Sequence, residues 1–318
     1  MKRSLLILLC VLFSANLEIF SQTICRNTKA NSTAGATEKY VYKTYLDKEG
    51  NEKELHIGLI HPVDNLPEKK RPLVIGIQGS AFVNTCFPEP CYIKYSENVL
   101  KPYFIPQGFI TASIQYRLNS PFEFQTFKVN DEKLKEIQYK AVQDARAAIK
   151  YIFENAEKLG VDTNNVFLVG TSAGAITALQ AVYLGDNQAP KNLAEKFGKL
   201  EKRENIKGVI SLSGAIYDLS YLKGGGKIPL MIVHGRDDRI VPFDKGFYLG
   251  LKRLTPVFGG KAIYDEAVKQ TIPVKGYFYD FGHEYPREFQ KNIYKNANDF
   301  IRSYLNCPGG TFQNNKAK

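Results

Sequence analysis

Apolar and polar positions alternate over residues 40–46 and again over residues 54–60, with the turn-forming run D-K-E-G-N at 47–51 between them. The chain therefore begins with a predicted β-hairpin. The pattern then changes to short unbroken apolar runs at 73–77, 109–115, 166–169, 206–212 and 229–233, and an aromatic run at 274–279. Each reads as a strand, the apolar ones buried on both faces. Between them the period lengthens. Over residues 134–159, Ile137, Ala141, Ala145, Ala148 and Ile152 recur every three or four positions, which predicts an amphipathic helix ended by Gly160. Residues 161–165 (V-D-T-N-N) predict a turn into the next strand, and residues 184–203 a Lys/Glu-rich surface excursion. Residues 244–254 and 285–305 predict two further helices, and the chain after Cys307 a loose tail. Strands alternating with helices predict an α/β protein with a doubly wound, mostly parallel sheet.

A length of 318 residues suits one large α/β domain, with a core buried well enough to need no staples. Lys2 and Arg3 precede an apolar stretch at 5–13, and Ala15 and Ser21 supply small residues for cleavage. Residues 1–21 are thus expected to be a signal peptide and residues 22–318 a single domain, secreted or periplasmic. The apolar stretch is too short to span a bilayer, so stable membrane insertion is not expected; an uncleaved anchor is the alternative. Leu9 and Ile24 stand before Cys10 and Cys25, which argues against lipoprotein processing. Asn31-Ser-Thr33 is a glycosylation acceptor only in a eukaryotic source.

Five cysteines fall to four once such a leader is removed, an even number suited to an oxidising compartment. Cys86 and Cys91 bracket a Pro-rich turn, and Cys25 and Cys307 lie near the two ends. The pairing expected among three possibilities is Cys86–Cys91 with Cys25–Cys307. The formal net charge is +11, from 43 Lys+Arg against 32 Asp+Glu, but the basic clusters interleave with acids. A solvated surface is expected, not nucleic-acid binding. The sequence holds no C-x-x-C pair, glycine-rich phosphate loop, metal cluster or internal repeat, so neither a cofactor nor a metal is expected. It does not indicate an oligomeric state.

The candidate chemistry centres on residues 170–174, Gly-Thr-Ser-Ala-Gly. They fit G-x-S-x-G between the apolar run at 166–169 and a small-residue helix starting at Ala173, the strand–turn–helix setting of a nucleophilic serine. The glycines relieve crowding around a strained turn that lifts the Ser172 hydroxyl clear of the sheet. A serine needs a base, and the base an orienting carboxylate. The chain has four histidines, His56, His61, His234 and His283. After the strand at 229–233, Asp237 and Asp238 compete as the acid.

Taken together, these segments resemble the α/β-hydrolase superfamily. More narrowly, the chain resembles secreted bacterial carboxylesterases of the hormone-sensitive-lipase and feruloyl-esterase-like type, over about residues 53–305. Tyr116-Arg-Leu118 and residues 143–149 (Q-D-A-R-A-A-I) resemble segments of that branch. The resemblance implies an α/β-hydrolase fold and the chain order serine, acid, histidine. His56 and His61 precede the serine and His234 sits at a strand end, leaving His283 as the base. Residues 234–242 resemble an H-G-x-x-D-x-x-V-P run, a register that selects Asp238 over Asp237. Residues 78–82 (Q-G-S-A-F) resemble the H-G-G-G/A-F oxyanion motif, with Gln78 for His and Ser80 for Gly. By that match the backbone N–H of Ser80 or Ala81, with that of Ala173, would hold the oxyanion. Phe82, Tyr116 and Phe122 are candidate substrate contacts. Phe122, Phe124 and Phe127 would either line an acyl pocket or, the reading favoured, staple their loop to the core. The short span between the strands at 206–212 and 229–233 leaves no room for a large lid domain. The expected function is serine hydrolysis of short-chain, aromatic or carbohydrate-linked carboxylic esters, small or polymer-borne. The alternatives are a peptidase of prolyl-oligopeptidase type, for which the N-terminal region leaves no space for a propeller, and a non-catalytic binding member of the fold. The lack of any Trp argues against a sugar-stacking platform.

Overall fold

The computed structural model describes residues 32–64, 70–119 and 130–305. The expected leader, Asn31, the Cys25–Cys307 pair, and Phe122, Phe124 and Phe127 lie outside the described residues.

The hairpin forms from β1 (Thr33–Leu46) and β2 (Glu52–Val63), paired antiparallel. Its turn is closed by Asp47, whose carboxylate accepts the N–H groups of Glu49 and Asn51 at 3.0 and 2.8 Å. The remaining main-sheet strands, β3 (Arg71–Ile77), β4 (Ile110–Ile114), β5 (Val161–Thr171), β6 (Gly208–Leu212), β7 (Leu230–Gly235) and β10 (Val274–Tyr279), complete an eight-stranded sheet. Its order is β1-β2-β4-β3-β5-β6-β7-β10, antiparallel only where β2 meets β1 and β4. A separate ribbon pairs β8 (Lys245–Gly246) with β9 (Val257–Phe258).

Apolar residues on successive positions of these strands face opposite layers, which is why the runs read as unbroken. In β3, Leu73, Ile75 and Ile77 pack in one core and Val74 in the other; in β5, Val166 and Leu168 oppose Phe167 and Val169. The first core is covered by α1 (Asp131–Glu154), α2 (Ala173–Tyr183) and α4 (Gly260–Lys269), and the short α3 (Lys191–Phe197) follows α2. The second core is covered by α5 (Arg287–Tyr304) and by the helical pieces Cys91–Tyr95, Ser96–Leu100 and Lys101–Phe104. Two covered faces on a mostly parallel sheet are the doubly wound arrangement expected from the sequence.

Three local expectations are corrected. Helix α1 starts three residues early because Asn130 caps it, accepting the Lys133 N–H at 2.8 Å, and ends at Glu154, where the Asn155 amide takes the Tyr151 carbonyl at 2.8 Å. Residues 161–165 are no simple turn but the start of β5. The register slips there, from Arg71↔Val161 to Leu73↔Val166, around a bulge held by Asp162, which accepts from Asn164 N–H and Asn165 Nδ2. Residues 244–254 form no α-helix. They contain β8 and a 3₁₀ turn in which Leu249 and Gly250 both have positive φ, 54° and 67°, values that break a right-handed helix. The helix of this region is α4, which the sequence reading missed.

Candidate active site

Thr171 ends β5 and Ser172 caps α2, so Ser172 sits on the tight turn at the carboxyl end of a central strand. Its backbone is strained, with φ 54° and ψ −121°. The turn is fixed by two backbone bonds, Ser172 N–H to Leu212 O at 2.8 Å and Ile176 N–H to Ser172 O at 2.9 Å. It is possible only because its flanks are glycine. A Cβ on Gly170 would meet the Gly174 carbonyl oxygen at 2.3 Å, and one on Gly174 would meet the carbonyl oxygens of Ile77 and Gln78 at 2.0 and 2.5 Å. These obstacles are backbone, which cannot swing aside. Gly174→Ala is therefore expected to cost about 3 kcal/mol or more. Chemical denaturation checks this, and a denaturation midpoint equal to wild type would show that the turn is looser than its geometry.

The structure brings Ser172, His283 and Asp238 together. Ser172 Oγ lies 2.8 Å from His283 Nε2, and His283 Nδ1 lies 2.7 Å from Asp238 Oδ2. Asp238 is buried, and its other oxygen accepts the N–H groups of Ile240 and Val241, each at 2.9 Å. Burial pushes its pKa up, but donors from His234 and His283 and these backbone bonds outweigh it and hold the carboxyl well below the usual range. An ionised carboxylate can only accept, so Nδ1 carries the imidazole proton. Nε2 is then free to accept from the serine hydroxyl.

Asp237 is exposed and takes no part in this chain of bonds. His234, by contrast, is fully buried and supports the acid, a role the sequence reading did not see. Its Nδ1 accepts the Gly260 N–H at 3.1 Å, so its proton is on Nε2, which lies 3.1 Å from the Val241 carbonyl and 3.2 Å from Asp238 Oδ2.

The loop at residues 78–82 lies against the serine turn, for a Cβ on Gly79 would meet Thr171 O at 3.0 Å and Ser172 Cβ at 3.3 Å. Ser80, Ala81 and Phe82 all have positive φ, 117°, 52° and 61°. Such a run of non-glycine residues costs roughly 1–3 kcal/mol each and persists only when neighbours enforce it. Val83 N–H bonds to Ser80 O at 2.8 Å and Asn119 N–H to Phe82 O at 2.9 Å. Among the described residues no backbone carbonyl accepts the N–H of Ser80 or Ala81. The N–H of Ala173, first residue of α2, precedes the helical ladder.

Tyr116 is not positioned as a substrate contact. It is 1% exposed, and its hydroxyl donates to the Gln78 carbonyl at 3.0 Å, so it braces this loop from behind. Its neighbour Arg117 donates to Asp144 at 2.7 Å, and Asp144 also holds Lys43 of β1 at 2.7 Å. Thus Y-R at 116–117 and Asp144 of the 143–149 segment act as one brace between hairpin, loop and α1. Phe82 does line a cavity of about 80 Å³ that includes Ser172. The cavity is almost wholly apolar, with Leu134, Ile176, Val241, Tyr248 and Leu254 among its walls. Half of its lining comes from residues 240–254, which include the segment 244–254 mistaken for a helix. Cys86 and Cys91 are joined by a disulfide. Among the described residues no group of His, Cys, Asp and Glu is arranged to hold a metal, and no helix is long and apolar enough to cross a membrane.

A family model described as BD-FAE matches residues 62–227, just over half of the chain; it takes in residues 78–82 and Ser172 and stops short of Asp238 and His283. Lipase 2 of Geotrichum candidum is 30% identical over 143 residues, 43% of this chain and 24% of the lipase, and Lipase 1 of the same organism is 29% identical over 143 residues, with the same shares. The chain thus spans about a quarter of the length of these curated relatives (24%). Among solved structures, a thermophilic esterase of Thermogutta terrifontis, esterase 2 in native form, is similar with a TM-score of 0.58 at 18% identity, over 86% of this chain and 95% of that one. Its butyrate-bound form gives 0.58 at 17% identity, over 87% and 97%. At such identity the likeness is one of fold, the α/β-hydrolase fold.

Proposed function

The chain belongs to the BD-FAE family, and on that premise we propose that it is a serine carboxylic-ester hydrolase that acts on short-chain esters through an acyl-enzyme. The observation that carries this reading is the unbroken relay from Ser172 Oγ through His283 to Asp238, with both links under 3 Å (2.8 and 2.7 Å). Ser172 Oγ attacks the ester carbonyl while its proton passes to His283 Nε2. The imidazolium so formed is stabilised by ionised Asp238 across Nδ1–H. The carbonyl oxygen, now negative, is met by backbone N–H groups of Ser80 or Ala81 and of Ala173. Each such donor is worth roughly 10²- to 10³-fold in kcat. Collapse expels the alkoxide, which takes the proton from Nε2 and leaves as alcohol. Water, deprotonated by His283, then attacks the acyl-enzyme; the acid is released and the proton returns to Ser172.

The size of the cavity beside Ser172 supports the short-chain reading. An apolar cavity of about 150 Å³ takes a benzene ring, and this one measures about 80 Å³. It suits an acyl chain of roughly two to four carbons rather than an aromatic acyl group. Export, as the setting in which such esters are met, rests on the leader expected from the sequence at residues 1–21.

The test compares turnover of p-nitrophenyl acetate with that of an alanyl p-nitroanilide, alongside labelling by a fluorophosphonate. Ester turnover well above anilide turnover, with label on Ser172, is expected. Preferential anilide cleavage would move the chain to the peptidase reading, and an enzyme that neither turns over ester nor takes label would be a binding member of the fold.

A further inference from the structure

Gln138, on the core-facing side of α1, lines two cavities at once. One is the apolar cavity that contains Ser172; the other, of about 400 Å³, is also lined by Lys135, Val142, Gln180, Leu193, Tyr217 and Tyr221. Gln138 is the one residue common to both linings among the described residues. Its side chain therefore forms part of the partition between them.

That partition is costly as built. Gln138 is 2% exposed; its Oε1 accepts from Gln180 Nε2 at 3.2 Å, while its own Nε2 has no partner. The Tyr248 hydroxyl, in the first cavity, lies near this amide without forming a hydrogen bond to it, and the Tyr217 hydroxyl on the other side is likewise without a partner. The two tyrosine rings meet edge to face at 6.4 Å, so they flank the same wall. Burying an amide N–H with no acceptor is destabilising, and an apolar side chain of equal bulk would fill the position without that cost. A wall held by a single hydrogen bond is also easily removed.

We propose that Gln138 sets the upper limit of acyl-chain length: it closes the pocket beside Ser172 against the larger cavity behind it. This rests on the esterase reading above. An apolar pocket that has no room for one more methylene discriminates by roughly 10- to 200-fold in kcat/KM. Removing the partition would join the two spaces and give a longer chain somewhere to go. The second cavity has apolar walls at Val142, Leu184 and Leu193 to receive it.

The experiment measures kcat/KM for p-nitrophenyl acetate, butyrate, hexanoate and octanoate with wild type, Gln138→Ala and Gln138→Leu. Wild type is expected to fall off beyond butyrate. Gln138→Ala is expected to raise the octanoate-to-acetate ratio by about tenfold or more. Gln138→Leu, which keeps the bulk and loses the amide, should keep the wild-type ratio. An active wild type with an unchanged ratio in Gln138→Ala overturns the inference alone, as does a wild type that already takes octanoate as readily as acetate. A wild type with no acetate turnover overturns the esterase reading and this inference with it. Should Gln138→Ala fail to fold, Gln180→Leu, which removes only the bond holding the partition, carries the test: a smaller rise in the same ratio supports the limit, and no rise overturns it.

Discussion

Ser172→Ala lowers kcat for p-nitrophenyl acetate by about 10³-fold or more, with the folded state retained. The size of the loss follows from what the hydroxyl does: without Oγ no acyl-enzyme forms, and only the oxyanion donors and substrate binding remain to speed attack by water. Retention of the fold follows from the turn, whose backbone bonds to Leu212 and Ile176 do not use the side chain. Alanine inherits the same positive φ that serine already bears, so the substitution adds little strain. Steady-state kinetics with a matched thermal melt check both halves. Turnover equal to wild type would remove Ser172 from the mechanism.

Asp238→Asn is expected to cost on the order of 10⁴-fold in kcat, and Asp237→Asn almost nothing. An asparagine amide can present N–H to His283 Nδ1, which turns that nitrogen into an acceptor and moves the proton to Nε2. The face toward Ser172 then has a proton already and cannot take another. Asp237, exposed beside the relay, has no such hold on the imidazole. The pH sign follows from the depressed pKa of Asp238. Its carboxylate contributes stability above the ordinary carboxylate pKa, and loses it only as pH falls through the lower, folded value. Asp238 therefore stays ionised in mildly acid solution, and activity lost there does not come from its protonation. Equal losses in the two Asn variants would return the choice between them to the open.

The serine turn could be seen in the sequence because its chemistry is steric. Only glycine fits at 170 and 174, so the need is written in residue type at fixed spacing. The strands were visible for a similar reason, since burial on both faces requires runs such as residues 166–169. The acid and base were reached by chain order and register, and the structure brings those two residues to Ser172. What did not show is what depends on contact between distant segments. Tyr116 looked like a binding residue because an aromatic near a site often is one; its role lies in a hydrogen bond to a carbonyl 38 positions away. Residues 244–254 carry enough Leu, Phe and Tyr to imitate a helix, but the backbone signs at Leu249 and Gly250 override that pattern. Gln138 reads as the polar margin of an amphipathic helix, and only the tertiary packing puts it inside.

Ile240 and Val241 use their N–H groups to hold Asp238 and their side chains to shape the cavity beside Ser172. Selection for new substrates at these two positions therefore drags the rate of the chemistry along with the choice of ester. Variation at two positions of α1 escapes that bond, because Leu134 and Gln138 border the same space and hold none of the reacting groups. A library randomised at the helix should yield altered preferences with the engine intact, whereas one randomised at the loop should yield mostly slow enzymes.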